Sequence, residues 1–134
     1  MIKNFKTTLT SDDIKNGATG IFPVPKEVLP LAAAGKVHNF LGVTIKNVPG
    51  GAVDYTGGIE MRFKTAVSDK ILIVGSGFQN KVAYELVANK NADIQSIFST
   101  VAAILVTTQD QAIDGDFSIE IIVCYEERDL ILAT

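Results

Sequence analysis

Phe117-Ser118-Ile119-Glu120-Ile121-Ile122-Val123-Cys124-Tyr125-Glu126 is the stretch that decides how this chain folds. Phe117, Ile119, Ile121, Val123 and Tyr125 share one parity, while Ser118, Glu120 and Glu126 take the other. A period of two is strand spacing, with one face packed and its opposite wet. Ile122 and Cys124 interrupt the polar parity, so the outer face of this strand carries apolar side chains at its centre. Just upstream, Asp114-Gly115 is a pair that favours a hairpin reversal, and residues 101–108 before it read as a second strong strand.

Working outward, the same signal recurs. Ile59, Met61 and Phe63 alternate with Glu60, Arg62 and Lys64. Val37, Leu41, Val43 and Ile45 oppose His38, Thr44 and Lys46, with Phe40 breaking the polar side. The unbroken apolar run at 71–74 reads as a central strand covered on both faces. Residues 3–9, 18–24 and 82–88 are further strand candidates, and 94–100 reads as an irregular connection or a single helical turn. Pro23, Pro25 and Pro30 mark the early part as an edge with missing amide donors. Thr10 as a hydroxyl cap, with Asp12 and Asp13 in the first turn, predicts one short helical turn near residues 10–16, closed by Gly17. Residues 47–58, rich in Gly, Pro and Asp, read as a loop. The expectation is an all-β chain: an antiparallel β-sandwich, jelly-roll-like, of about eight strands. It forms one domain over residues 1–134, with an extended N-terminal arm (1–9) and a C-terminal tail (128–134).

Size and composition fit that reading. A chain of 134 residues accommodates one core, and a single cysteine, Cys124, excludes an intrachain disulfide. The net charge of −3 and pI near 5.0 offer no basic stripe for nucleic acid. No apolar run is long enough to span a bilayer, and the opening MIKNFKTTLTSDD has no apolar core of a secretory leader. A hydrophobic content of 47% with mean hydropathy +0.27 exceeds what a small monomer's charged surface would give, so an oligomer or assembly subunit is expected.

Catalytic chemistry finds little purchase. Gly75-Ser76-Gly77 fits neither a phosphate loop nor a nucleophile elbow and reads as a strand-ending turn. The nearest approach to a metal set is Asp110, Asp114 and Asp116, candidate calcium ligands without EF-hand spacing. His38 lacks a partnered nucleophile and reads as a surface or interface residue. Glu120, Glu126, Glu127 and Asp129 are read as acids that solvate a sheet rather than as a hydrolytic pair. No catalytic residue, cofactor or metal is therefore expected. Cys124 beside Ile122, and Phe40 on its own strand, would instead leave apolar area exposed in a monomer, which makes Phe40, Ile122 and Cys124 the expected interface residues. The extended ends, residues 3–9 and 130–133, either add to a neighbour's sheet edge or pair within their own sheets.

The order of segments resembles small structural proteins of tailed-bacteriophage virions. The resemblance is carried by Lys6-Thr7-Thr8-Leu9-Thr10, Gly35-Lys36-Val37, Tyr55-Thr56-Gly57-Gly58-Ile59, Ile104-Leu105-Val106-Thr107-Thr108, Asp114-Gly115-Asp116 and the closing strand. The proline-rich segment 23–30 and the tail 130–134 depart from it. It implies a non-enzymatic decoration, cement or fibre-base subunit, commonly a homotrimer. Such a subunit would be assembled in the host cytoplasm and seated on the major capsid protein or other virion proteins. The alternative is a glycan- or receptor-binding sandwich on the same particle, for which Tyr55 and Tyr84 are the aromatic candidates.

Overall fold

A computed structural model describes residues 2–15, 25–48, 50–57, 60–67, 71–76, 85–89, 99–108 and 112–130. The chain is mostly β. The strands are β1 (Ile2–Leu9), β2 (Lys26–Leu29), β3 (Lys36–Asn47), β4 (Glu60–Thr65), β5 (Ile71–Ser76), β6 (Glu85–Asn89), β7 (Ser99–Thr100), β8 (Ile104–Thr108) and β9 (Ile119–Asp129). The helical element among the described residues is one turn, α1 (Ser11–Lys15), inside the expected 10–16. Its start is a reciprocal cap: the Asp13 N–H donates to Thr10 Oγ1 at 3.2 Å, and the Thr10 N–H donates to the Asp13 carboxylate at 3.0 Å. Gly17 and residues 18–24 lie outside the described residues. No helix described is long and apolar enough to cross a membrane.

The strands form two antiparallel sheets. One has the order β1-β9-β3-β6, with β7 also paired to β3, and the other the order β2-β8-β4-β5. The pairings nest: β1 with β9, β2 with β8, β3 with β6, and β4 with β5. The chain therefore behaves as one long hairpin laid alternately into the two sheets. Their inner faces share a single core around Phe40, Ile45, Phe63, Ile104, Phe117 and Ile121. Burying a side chain of this size contributes about 1.5 to 3 kcal/mol each, which is what holds the sheets together.

Strand β9 is central and alternates as its sequence requires: Ile119, Ile121, Val123 and Tyr125 are buried, while Glu120, Ile122 and Cys124 are half-exposed. Beside it, β3 does not keep one parity. Its register against β9 shifts between Phe40 and Gly42, so that Phe40 opposes Tyr125 and Gly42 opposes Cys124. This bulge moves the core face from even to odd residues. Phe40 points inward before it, and Val43 and Ile45 point inward after it. Phe40 is consequently 1% exposed and belongs to the core, not to an outer interface.

Four further expectations are corrected. The segment after β8 makes no hairpin, because β8 and β9 belong to different sheets and Asp114-Gly115 lies on the crossing between them. The run 71–74 is not central: β5 is the last strand in its sheet's order. Residues 2–9 are no free arm, since β1 pairs with β9 from Ile2 opposite Glu126 to Leu9 opposite Ile119. The first part of the expected tail, Arg128 and Asp129, completes β9 against β3. Residues 131–134 lie outside the described residues.

Candidate functional site

The outer face of the β1-β9-β3 sheet is where the sequence-based interface residues gather. Ile122 stands between Lys6 on β1 and Thr44 on β3, and Cys124 between Asn4 and Gly42. Both apolar groups stay half-exposed, and Gly42 has no side chain to cover Cys124. Ile2, 66% exposed, continues the strip at the end of β1. Charge borders it, with the Lys6 ammonium 3.5 Å from Glu120 and the Arg128 guanidinium paired with Glu126. An apolar strip rimmed by compensated charges is suited to burial against another protein surface.

The four acids of β9 are all engaged by cations. Lys6 meets Glu120, Arg128 meets Glu126, Lys3 meets Glu127 at 3.1 Å, and Lys36 meets Asp129. Hydrogen bonds from Lys3 and Lys36 hold the Glu127 and Asp129 carboxyls below their usual values, so both are ionised near neutrality. Neither is poised as a proton donor.

His38 is not at the surface: it is 4% exposed. Its ring lies 4.6 Å from that of Tyr125, and its Nε2 is 3.9 Å from Glu127. Its Nδ1 is buried with no hydrogen-bond partner among the described residues. Burial pushes its pKa down, against the pull of Glu127, so the imidazole is held neutral.

Of the aspartates read as calcium candidates, Asp114 and Asp116 lie among the described residues. Asp116 accepts the main-chain N–H of Ala52 at 2.9 and 3.1 Å and of Val53 at 2.9 Å, which spends both carboxylate oxygens on the loop before β4. Asp114 takes the left-handed turn conformation, with φ of 70°. Asp110 lies outside the described residues. Among the described residues no group of three or more His, Cys, Asp or Glu side chains is placed to hold a metal ion.

Tyr55, an aromatic candidate for sugar stacking, is 4% exposed. Its ring packs edge-on to Phe117 at 4.7 Å, and its hydroxyl donates to the Phe117 carbonyl. Tyr84 and Gly77 lie outside the described residues. Sequence reading missed the Tyr55 and Asp116 contacts because each joins residues more than sixty positions apart. A small cleft beside α1, of about 280 Å³ including its open mouth, is lined by Leu9, Ile14, Met61 and Val106 under the Asp13–Lys26 ion pair at 3.0 Å. No protein-family model matches the chain, and no curated protein or solved structure matches it.

Proposed function

We propose that this chain is a non-enzymatic virion structural protein of a tailed bacteriophage, a capsid decoration, cement or fibre-base subunit that works as a homo-oligomer, a trimer by resemblance. The observation that carries the reading is the outer strip of Ile2, Ile122 and Cys124, apolar and rimmed by paired charges on a central strand. Burying it between subunits or on the major capsid protein removes the exposure that a monomer would keep. Repetition over a particle then lets modest contacts sum, because one docked arm raises the effective concentration of the next. The β9 acids engaged by cations and the buried His38 support a role without catalysis.

The fold reading that accompanies this is a jelly roll. Its support is the nested pairing of β1 with β9, β2 with β8, β3 with β6, and β4 with β5 across two sheets, with β7 as a short addition on β3. Eight strands so arranged are shared by capsid and lectin domains, so the fold alone selects neither. The buried Tyr55 removes one stacking platform that the glycan-binding alternative required.

Quantitative mass spectrometry of virions purified from cultures that carry this gene tests the proposal. The chain is expected in a fixed ratio to the major capsid protein. Its absence from washed particles, with the protein present in the lysate, overturns the reading.

A further inference from the structure

The four strands that end the two sheet orders differ in how they guard their open sides. Strand β2 is four residues long, carries a register shift, and lies between Pro25 and Pro30. Strand β5 is paired to β4 through another shift, and β6 is five residues long. Strand β1 has none of these devices. It is eight residues long, contains no proline, and pairs with β9 without a shift from end to end. Among the described residues nothing pairs with its other side.

A lysine facing out from an edge ordinarily discourages a second strand. Here Lys3 and Lys6 turn back onto β9, where Glu127 and Glu120 compensate them. Beside these lysines, whose side chains stay 38% and 63% exposed, the edge also shows apolar surface: Ile2 is 66% exposed and Phe5 36%. Half of the strand's main-chain N–H and C=O groups point away from β9, as in any antiparallel edge. An extended strand is the partner that satisfies them all.

We propose that the occupant of this edge is β1 of a second copy of the chain, joined antiparallel about a twofold axis through Phe5, so that the β1-β9-β3-β6 sheet continues across the contact. Side chains directly opposite in such a pair share a face, which allows only registers of matching parity. Centring on Phe5 sets Ile2 against Thr8, Lys3 against Thr7, Asn4 against Lys6, and Phe5 against Phe5 of the second copy. No lysine opposes a lysine. Centring on Lys3 or on Lys6 places two ammonium groups opposite each other, and centring on Asn4 shortens the overlap and separates the two phenyl rings. The contact is closed and twofold, so it yields even numbers of copies: two, or six where threefold contacts also form. It rests on the assembly reading above only in treating the chain as self-associating, since the edge and its register are independent of any particle.

Thiol cross-linking tests it in a Cys124→Ser background, with light scattering as a second readout. Phe5→Cys brings two thiols within disulfide reach across the axis, whereas Thr8→Cys leaves them about 20 Å apart along the strands. Mild oxidation is expected to convert most of the Phe5→Cys protein to a reducible covalent dimer and to leave Thr8→Cys uncoupled. In the otherwise unchanged chain, Phe5→Lys is expected to halve the mass in solution with the far-UV spectrum preserved. Equal coupling at both positions, coupling at neither, or a mass unmoved by Phe5→Lys overturns the proposal. Cross-linked protein missing from virions would overturn the virion reading and leave this edge contact standing. Uncoupled protein that is nevertheless part of the virion would do the reverse.

Discussion

The carboxylate of Asp116 accepts the main-chain N–H of Val53 at 2.9 Å across 63 residues of chain, and with the same group it holds Ala52. This clamp ties the loop before β4 to the entry of β9. Gly51 makes it possible, because a Cβ there would lie 2.6 Å from the Asp116 Oδ1 atom and 2.6 Å from the Phe117 Cβ.

Hydrogen bonds from Val53 and Ala52 hold the Asp116 carboxyl below its ordinary 3.8. The folded protein therefore binds that proton more weakly than the unfolded chain. The stabilisation is complete above the unfolded value and is lost as the pH falls through the folded one. Asp116→Asn is expected to lower the urea midpoint at pH 7, with the gap from wild type closing in acid. A gap that persists unchanged at low pH would show that the carboxylate's charge is not what holds the loop.

Gly115 lies under the Tyr55 ring, where a Cβ would approach Cδ1 to 2.1 Å. Gly115→Ala is expected to cost about 3 kcal/mol, the upper range for overpacking a filled core. Tyr55→Phe removes the bond to the Phe117 carbonyl and is expected to cost about 1 kcal/mol. Combining Gly115→Ala with Tyr55→Ala in a double-mutant cycle should recover part of the steric penalty, and strict additivity would refute the contact.

Burial lowers the His38 pKa, with Glu127 opposing the shift and Lys3 adding to it. The unfolded chain then takes up a proton near pH 6.5 that the folded protein resists. Stability is full above that value and declines as the pH falls below it. Thermal unfolding midpoints are expected to drop between pH 7.5 and 5.5, and His38→Gln to flatten this slope. An equally steep profile in the variant would assign the slope to other groups.

Phe40 and Ile122 separate core from surface. Phe40→Ala empties a fully buried site and is expected to cost about 3 to 5 kcal/mol. Ile122→Glu, facing Lys6 on the outer strip, is expected to cost no more than about 1 kcal/mol yet to reduce association, read by light scattering against urea melts of the same samples. A large loss of stability from Ile122→Glu with unchanged mass would make it a packing residue instead. Deleting residues 1–9, in turn, should unfold the chain rather than merely release an arm, because Leu9 is buried and β1 is bonded along β9.

Much of this molecule is legible locally. Thr10 and Asp13 cap α1 because a hydroxyl and a carboxylate three residues apart satisfy each other's amides, and that spacing is visible in the sequence. The alternation of 117–126 likewise names the buried face of β9, and with it Ile122 and Cys124 on the other side. Phe40 was misread for a definite reason: parity counting assumes an unbroken register, and the bulge before Gly42 inserts one residue. His38, on the same side of that bulge, turned inward with it.

The sequence by itself determined the β class, the short helix α1, and the central strand's two faces, since each depends on periods of two or on contacts within one turn. The tertiary structure alone decided which sheet each strand joins, and that the crossing at Asp114 is no hairpin. It also decided that Asp116 is spent on the loop before β4 and Tyr55 on Phe117, and that among the described residues nothing pairs with the outer side of β1. Those outcomes depend on pairings between residues far apart in the chain, whose register is set by how all the strands pack at once and not by any one of them.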